Sequence, residues 1–242
     1  MANNYTIFIS DIHLSTFTPS ITRNFQNFLC NYHTIRADAL YILGDLFEAW
    51  LGDDDQSKFT QAIKQSLYKI SQYCPVYLMH GNRDFLIGQR FCEECNIQLI
   101  SDPHIVKLYH QDTLLMHGDT MCTDDLVYQN ARIKFKSVEF QSRVLSKPLW
   151  FRRLLGRYYR WKSLKHQKNL INEIMDVNQG AVNKAFAQYD VQLMIHGHTH
   201  RPGIQWVKVN QKFCKRVVLS DWHSKAHALV CYANGDQKLT FY

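Results

Sequence analysis

The chain has 242 residues, 46% of them hydrophobic, with a net charge of +7 and seven cysteines. That is enough apolar material for one large core, and no run approaches the roughly 18 consecutive apolar residues of a membrane span. The Met-Ala-Asn-Asn start has no basic stretch followed by an apolar one, so no signal peptide is expected. The cysteines are odd in number and scattered, with Cys92 and Cys95 lacking a second pair at zinc-ribbon spacing; they read as reduced thiols of a cytosolic protein.

Tyr5 to Ile9 is short, β-branched and aromatic, and reads as a buried strand. Asp11 and His13 follow its C-terminal end. Two residues apart in extended chain, their side chains point the same way. A carboxylate and an imidazole there suit a divalent ion such as Mn²⁺, Fe²⁺ or Zn²⁺. Read alone, Asp-x-His is a polar turn; the rest of the chain repeats the arrangement. A helix with Ile21, Phe25, Phe28, Leu29 and Tyr32 on one face leads to a second strand, Ala39 to Leu43, which ends in Gly44-Asp45. A helix through Phe59, Ile63, Leu67 and Ile70 precedes a third strand, Pro75 to Met79, ending in His80-Gly81-Asn82-Arg83-Asp84. Thr113 to Met116 is a fourth, ending in His117-Gly118-Asp119. Leu170, Ile171, Ile174, Val182, Ala185, Phe186 and Tyr189 predict one long helix. A fifth strand, Gln192 to Ile195, runs into His196-Gly197-His198-Thr199-His200. Beyond it, Ile204–Val209, Val217–Leu219, Ala228–Tyr232 and Lys238–Tyr242 predict strands joined by turns at Asn210-Gln211 and Asn234-Gly235. Strands alternating with helices imply an α/β sheet, with polar ligands at the C-terminal strand ends.

Collected, the strand-end residues are Asp11, His13, Asp45, Asn82, His117, His198 and His200. That set is too large for one zinc site and suits two divalent ions bridged by Asp45. Such a pair clamps the attacking and leaving oxygens of a phosphoryl centre and lowers the pKa of a bound water toward about 7. His33, His104, His110, His166 and His227 read as ordinary surface or core residues, His80 and His196 as supports for the neighbouring ligands, and Asp53-Asp54-Asp55 as a solvated loop.

Asp11-x-His13, Gly44-Asp45, Gly81-Asn82, His117 and Gly197-His198-Thr199-His200 resemble the five sequence blocks of the calcineurin-like metallophosphoesterases. The resemblance spans positions 11 to 200. It implies two packed sheets flanked by helices in a single domain over 1–242. One ion would be held by Asp11, His13, Asp45 and His200, the other by Asp45, Asn82, His117 and His198. Two positions depart from the general pattern: Glu48 stands where an Asp is expected, and Arg83 where a His follows the Asn. Arginine is no proton donor near neutral pH, but its planar fork can offset transition-state charge.

These departures and the longer blocks Ile42 to Trp50, Gly81 to Phe85, His117 to Asp125 and His196 to Pro202 resemble the branch of the family that splits the pyrophosphate of UDP-2,3-diacylglucosamine in lipid A synthesis. That resemblance implies two Mn²⁺ per chain and water attack at the α-phosphorus, with Asp45, Asn82 and Arg83 catalytic. It puts Asn82, Arg83, Asp125, Ser163, Gln167, Lys168 and His198 against substrate. It also implies a cytoplasmic monomer attached peripherally to the inner membrane, with no nucleic-acid partner. The alternative is a nuclease or nucleotide phosphodiesterase on the same centre.

The charge is uneven. From Arg132 to Lys168 twelve Lys or Arg face one acid, Glu139, so +11 sits here and about −4 is left for the rest. Within residues 126–168, Val127, Ala131, Phe135 and Val138 predict a helix. Pro148 to Phe151, Leu154-Leu155, Tyr158-Tyr159 and Trp161 then interleave with arginines. One reading is a solvated helical hairpin packed on the core. The sharper one is a lid whose apolar face takes acyl chains and whose cations meet the pyrophosphate or an anionic membrane surface.

Overall fold

The computed structural model describes residues 4–168, 176–223 and 226–241. Its elements follow the chain as β1 (Tyr5–Ile9), α1 (Pro19–Leu29), α2 (Tyr32–Ile35), β2 (Ala39–Leu43), α3 (Lys58–Ser71), β3 (Val76–Met79), α4 (Gln89–Cys95), β4 (Gln98–Ile100), β5 (His104–Leu108) and β6 (Gln111–Met116). Then come α5 (Leu126–Lys136), α6 (Val138–Leu145), α7 (Leu149–Lys168), α8 (Gln179–Tyr189), β7 (Leu193–His196), β8 (Gly203–Val209), β9 (Lys212–Val218), β10 (His227–Tyr232) and β11 (Gln237–Phe241).

Two sheets form. One has the order β11-β10-β1-β2-β3-β4, the other β5-β6-β7-β9-β8. In the first, β1 to β4 are mutually parallel, while β10 and β11 run antiparallel. In the second, β6, β7 and β9 are parallel, flanked by antiparallel β5 and β8. The expected architecture of two sheets flanked by helices is therefore present.

Strict alternation explains why the central strands read as unbroken apolar runs. Ile7 and Ile9 of β1, Leu40 and Ile42 of β2 and Leu78 of β3 face the outer layer with Phe25, Phe28, Ile63 and Leu67. Phe8, Tyr41, Leu43 and Met79 face the second sheet and meet Leu115, Ile195 and Val217. The far side of that sheet is covered by Val182, Ala185 and Phe186 of α8. Strands buried on both faces have no polar face to show in sequence. Strands β1, β2 and β3 are parallel neighbours in one sheet and β6 and β7 in the other, and contacts between the turns after them bring their C-terminal ends to one rim of the sandwich.

Several expectations are corrected. The helix anticipated from Leu170 to Tyr189 starts at Gln179 among the described residues. Asn178 is extended there and its side chain accepts from Ala181 N, an N-cap that sets the helix start; Leu170, Ile171 and Ile174 lie outside the described residues. The helix expected to run through Val138 breaks at Ser137, which caps α6 by accepting from Phe140 N. Strands β4 and β5 carry no clear sequence signal, being short and only partly buried, and β9 begins at Lys212 rather than Val217.

The reading of Asp53-Asp54-Asp55 as a solvated loop holds only in part: Asp54 is half exposed, but all three carboxylates have partners. Asp53 accepts from Trp50 Nε1 at 3.0 Å and from the backbone N–H groups of Gly88 and Phe91 at the start of α4. Asp54 holds Arg152 of α7 through both guanidinium nitrogens, and Arg152 also donates to Leu51 O and to Lys147 O. Asp55 meets Arg153 at 3.4 Å. Arg152 is only 3% exposed, whereas Arg153 is half exposed. Arg152→Ala should therefore cost about 2–3 kcal/mol, seen as a fall of roughly 5–10 °C in melting temperature, while Arg153→Ala costs under about 1 kcal/mol. Thermal unfolding of both variants checks the contrast.

Candidate metal centre

Each site residue sits in a turn just beyond a strand, and the backbone there is unusual. Asp11, His13, Asp45, His198 and His200 all have positive φ, between 52° and 70°. Non-glycine residues adopt this left-handed form at a cost of order 1–3 kcal/mol each, and it concentrates at functional sites. Cross-loop bonds hold the turns. Asp11 N donates to Gly44 O at 3.1 Å, His13 N to Asp45 O at 3.0 Å and Leu14 N to Leu46 O at 2.9 Å. Gly197 N donates to His117 O at 2.9 Å, tying the β6 turn to the β7 turn. Gly44 has φ +89°, and a Cβ there would lie 2.7 Å from the Gly81 Cα, so only glycine lets the β2 and β3 turns touch.

The side chains converge. His13 Nε2 and His200 Nε2 face each other at 3.2 Å, and His200 Nε2 is 3.4 Å from Asp11 Oδ1. Asn82 Oδ1 lies 3.0 Å from both His117 Nε2 and His198 Nδ1. Asp45 stands between the two groups, with Oδ2 3.9 Å from His13 Nδ1 and Oδ1 3.9 Å from His117 Nε2. Among the described residues, Asp11, His13 and His200 form one cluster able to hold a cation, and Asp11, Asp45 and His117 another. Asp11, His13, Asp45 and His117 are all buried.

The donor set fits a cation. Asp11 Oδ1 and His13 Nδ1 are buried without a hydrogen-bond partner, and such groups are expensive unless something satisfies them. Burial pushes His13 down to about 4 against the pull of Asp45, and burial with repulsion from His117 takes His198 to about 4, so both keep free lone pairs. Burial opposes a charge on Asp11, but His200, His117 and His13 outweigh it and hold this carboxyl well below its usual range. Burial likewise disfavours charge on His200, yet Asp11 and Asp221 raise it to about 10. The carboxylates thus draw positive charge into the space between Asp11 and His200.

Supporting groups fix ring orientation. His117 Nδ1 donates to Leu43 O at 2.9 Å, leaving Nε2 for the centre. His200 Nδ1 lies 3.1 Å from Asp221 Oδ2. His196 is neutral, pushed down to about 3 by burial and by Arg216; its Nδ1 donates to Gly197 O and its Nε2 accepts from the buried Arg216 Nε at 2.8 Å. Ser10 Oγ and His198 N both donate to Asp11 Oδ2, at 2.6 and 2.8 Å. Fully buried Asp84 accepts from Gly81 N and Leu46 N, each at 2.7 Å, clamping the β2 and β3 turns together. His80 Nε2 is 2.7 Å from Ile87 O.

Arg83 belongs to the same cluster: its backbone N donates to Asp45 Oδ1 at 2.9 Å, its Nε lies 3.5 Å from Asp45 Oδ2, and its Nη1 pairs with Glu48. The other expected substrate contacts are dispersed. Asp125 accepts from Tyr128 N as the N-cap of α5, and the Tyr128 ring lies 5.8 Å from the His198 ring. Ser163 is exposed on α7, one turn beyond Arg160. The side chains of Gln167 and Lys168 lie outside those described. Sequence reading missed Ser10, Asp84 and Arg216 as supports. It also missed the buried Asp119, which accepts from Tyr128 Oη at 2.9 Å and Arg132 Nε at 2.6 Å. Only the runs Asn82-Arg83-Asp84 and His117-Gly118-Asp119 hinted at two of them.

Residues that hold a ligand's far nitrogen tune cation affinity by about 10- to 100-fold. Asp221→Ala, removing the partner of His200 Nδ1, should weaken divalent-cation affinity by that factor with an unchanged far-ultraviolet spectrum; calorimetric titration measures it.

Comparison with known proteins agrees with this geometry. The model of the family described as calcineurin-like phosphoesterase matches residues 5–202. A UDP-2,3-diacylglucosamine hydrolase of Coxiella burnetii is 45% identical over 235 residues, covering 97% of this chain and 96% of that protein. One of Yersinia pseudotuberculosis is 44% identical over 237 residues, covering 98% of each. An archaeal phosphodiesterase of known structure shares the fold, with a TM-score of 0.52 at 11% identity over 98% of this chain and 99% of that one. With its family blocks gathered along one rim able to hold a cation, the chain belongs to the calcineurin-like phosphoesterase family.

Proposed function

We propose that this chain hydrolyses the pyrophosphate of UDP-2,3-diacylglucosamine, giving UMP and 2,3-diacylglucosamine 1-phosphate in lipid A synthesis. The carrying observation is end-to-end identity of 44–45% with proteins of that name. These relatives do not favour the nuclease or nucleotide phosphodiesterase alternative. Asp11, His13, Asp45 and His200 would hold one Mn²⁺, and Asp45, Asn82, His117 and His198 a second. Bound there, the pair supplies Lewis acidity toward the phosphate oxygens and a water acidic enough to attack near neutral pH.

The chain's own residues do the rest. Asp45, braced by Arg83 N, spans the two ligand groups and fixes their separation. Asn82 and His198, 3.0 Å apart, orient the α-phosphate. The oxygen of water, releasing a proton to solvent, forms a bond to the α-phosphorus as the bond to the bridging oxygen breaks, and the bridging oxygen leaves on the diacylglucosamine 1-phosphate. Arg83 keeps its proton throughout and offsets charge growing on the phosphate oxygens. Asp125, Ser163, Gln167 and Lys168 complete the substrate contacts in this reading.

Residues 126–168 serve as a lid within a single domain spanning 1–242. Trp150, Leu154, Tyr158 and Trp161 repeat at helical spacing along α7 and are all more than half exposed; they suit acyl chains or a membrane interface. No helix among the described residues is long and apolar enough to cross a membrane. The proposed setting is a monomer on the cytoplasmic face of the inner membrane, touching anionic lipid and not nucleic acid.

Incubation of the Mn²⁺-loaded protein with UDP-2,3-diacylglucosamine in ¹⁸O-water should give UMP carrying the label. Label in the sugar phosphate contradicts attack at the α-phosphorus, and cleavage only of cyclic nucleotides or single-stranded DNA contradicts the lipid reading. Arg83→Ala should lower kcat by about 10²- to 10³-fold with a smaller change in KM. A rise in KM alone contradicts its transition-state role.

A further inference from the structure

One face of helix α7 docks on the loop between β2 and α3, while its Tyr159 packs on Phe135 of α5 and Phe140 of α6. The loop contacts run antiparallel and in step. Glu48 meets Arg160, Leu51 meets Gly156, and Asp54 meets Arg152. Three loop residues match each turn of helix, so one row of α7 residues meets the loop in step. A Cβ at Gly156 would lie 3.0 Å from Leu51 Cδ2, which marks how closely the helix lies on the loop. The same loop begins with Asp45, so insert and centre share one support.

The contacts differ along the helix. Its first two turns have Arg152 and Arg153 on Asp54 and Asp55. Its third turn is joined to the loop at Arg160, whose Nη2 lies 2.6 Å from Glu48 Oε1. The other oxygen of Glu48 pairs with Arg83 Nη1 and lies 3.8 Å from His13 Nδ1. Glu48 is well placed for this. Its N–H donates to Leu14 O at 3.0 Å, Leu14 and Phe47 form a parallel bridge, and Trp50 N donates to Arg83 O at 3.1 Å. One carboxylate therefore stands between two guanidiniums that would otherwise repel. Burial and the nearby Arg83 both disfavour charge on Arg160, and Glu48 opposes them.

We propose that Glu48 is a positioning residue whose carboxylate gathers Arg83 and Arg160 into one paired guanidinium site for phosphate oxygens, latching the C-terminal half of α7 onto the metal centre. This deepens the pyrophosphate reading and rests on it for the identity of the anion. The latch itself rests on the contacts alone. Two planar forks side by side can grip a doubly charged pyrophosphate as one fork cannot.

The test uses the full chain as Glu48→Ala, Glu48→Gln, Arg160→Ala and the double variant Glu48→Ala/Arg160→Ala. In the first readout, hydrogen exchange without substrate, Glu48→Ala should speed exchange in residues 157–165 by about tenfold while residues 149–154 stay as in the parent. In the second, with Mn²⁺ and UDP-2,3-diacylglucosamine, Glu48→Ala should raise KM about tenfold with kcat down threefold at most, Glu48→Gln should fall between, and the double variant should be no worse than Arg160→Ala. Unchanged exchange, or additive losses in the double variant, overturns the latch. So does lost Mn²⁺ affinity in Glu48→Ala, which makes Glu48 a support for His13 instead. If the parent protein leaves the acylated substrate intact, the pyrophosphate reading fails, and exchange still decides the latch.

Discussion

Asp11 and Asp45 are almost wholly removed from water, and burying two carboxylates side by side is costly unless positive charge meets them. The fold supplies part of that charge from imidazoles and from Arg83. It leaves Asp11 Oδ1 and His13 Nδ1 without hydrogen-bond partners. The remaining demand is one that a divalent cation is suited to fill. Five left-handed residues at the strand ends are the conformational cost of aiming these groups inward, and the bonds between neighbouring turns sustain it. Parallel pairing of β1, β2 and β3, and of β6 and β7, together with contacts between the turns after them, brings those turns to one rim.

The same loop that carries Asp45 continues into the docking strip for α7. Structure in the insert is thus not independent of the centre. Arg152, Arg153 and Arg160 are spent on Asp54, Asp55 and Glu48, so the strongly basic segment is partly neutralised by its own scaffold. The apolar stripe of Trp150, Leu154, Tyr158 and Trp161 remains at the surface, in keeping with an apolar partner for the outer side of the helix.

Much of this was legible in the sequence for a simple reason. A ligand that must sit at a strand end follows an apolar run, so Tyr5 to His13 or Leu193 to His200 displays both the strand and its cargo. What was hidden has equally physical causes. Asp53 to Asp55 looks solvated because the partners of Asp54 and Asp55 lie 98 residues away. Asp84 carries no local signal of its role, since it braces two backbone turns. The left-handed backbone falls on Asp and His, where no glycine announces it. Strands β4 and β5 are short and partly wet, and owe their pairing to neighbours rather than to local pattern.

The most direct test of the central claim is anomalous diffraction from crystals grown with manganese. The account predicts two manganese peaks, roughly 3.5–4 Å apart, enclosed by Asp11, His13, Asp45, Asn82, His117, His198 and His200, with Asp45 between them. A single peak, or peaks lying away from these seven side chains, contradicts it.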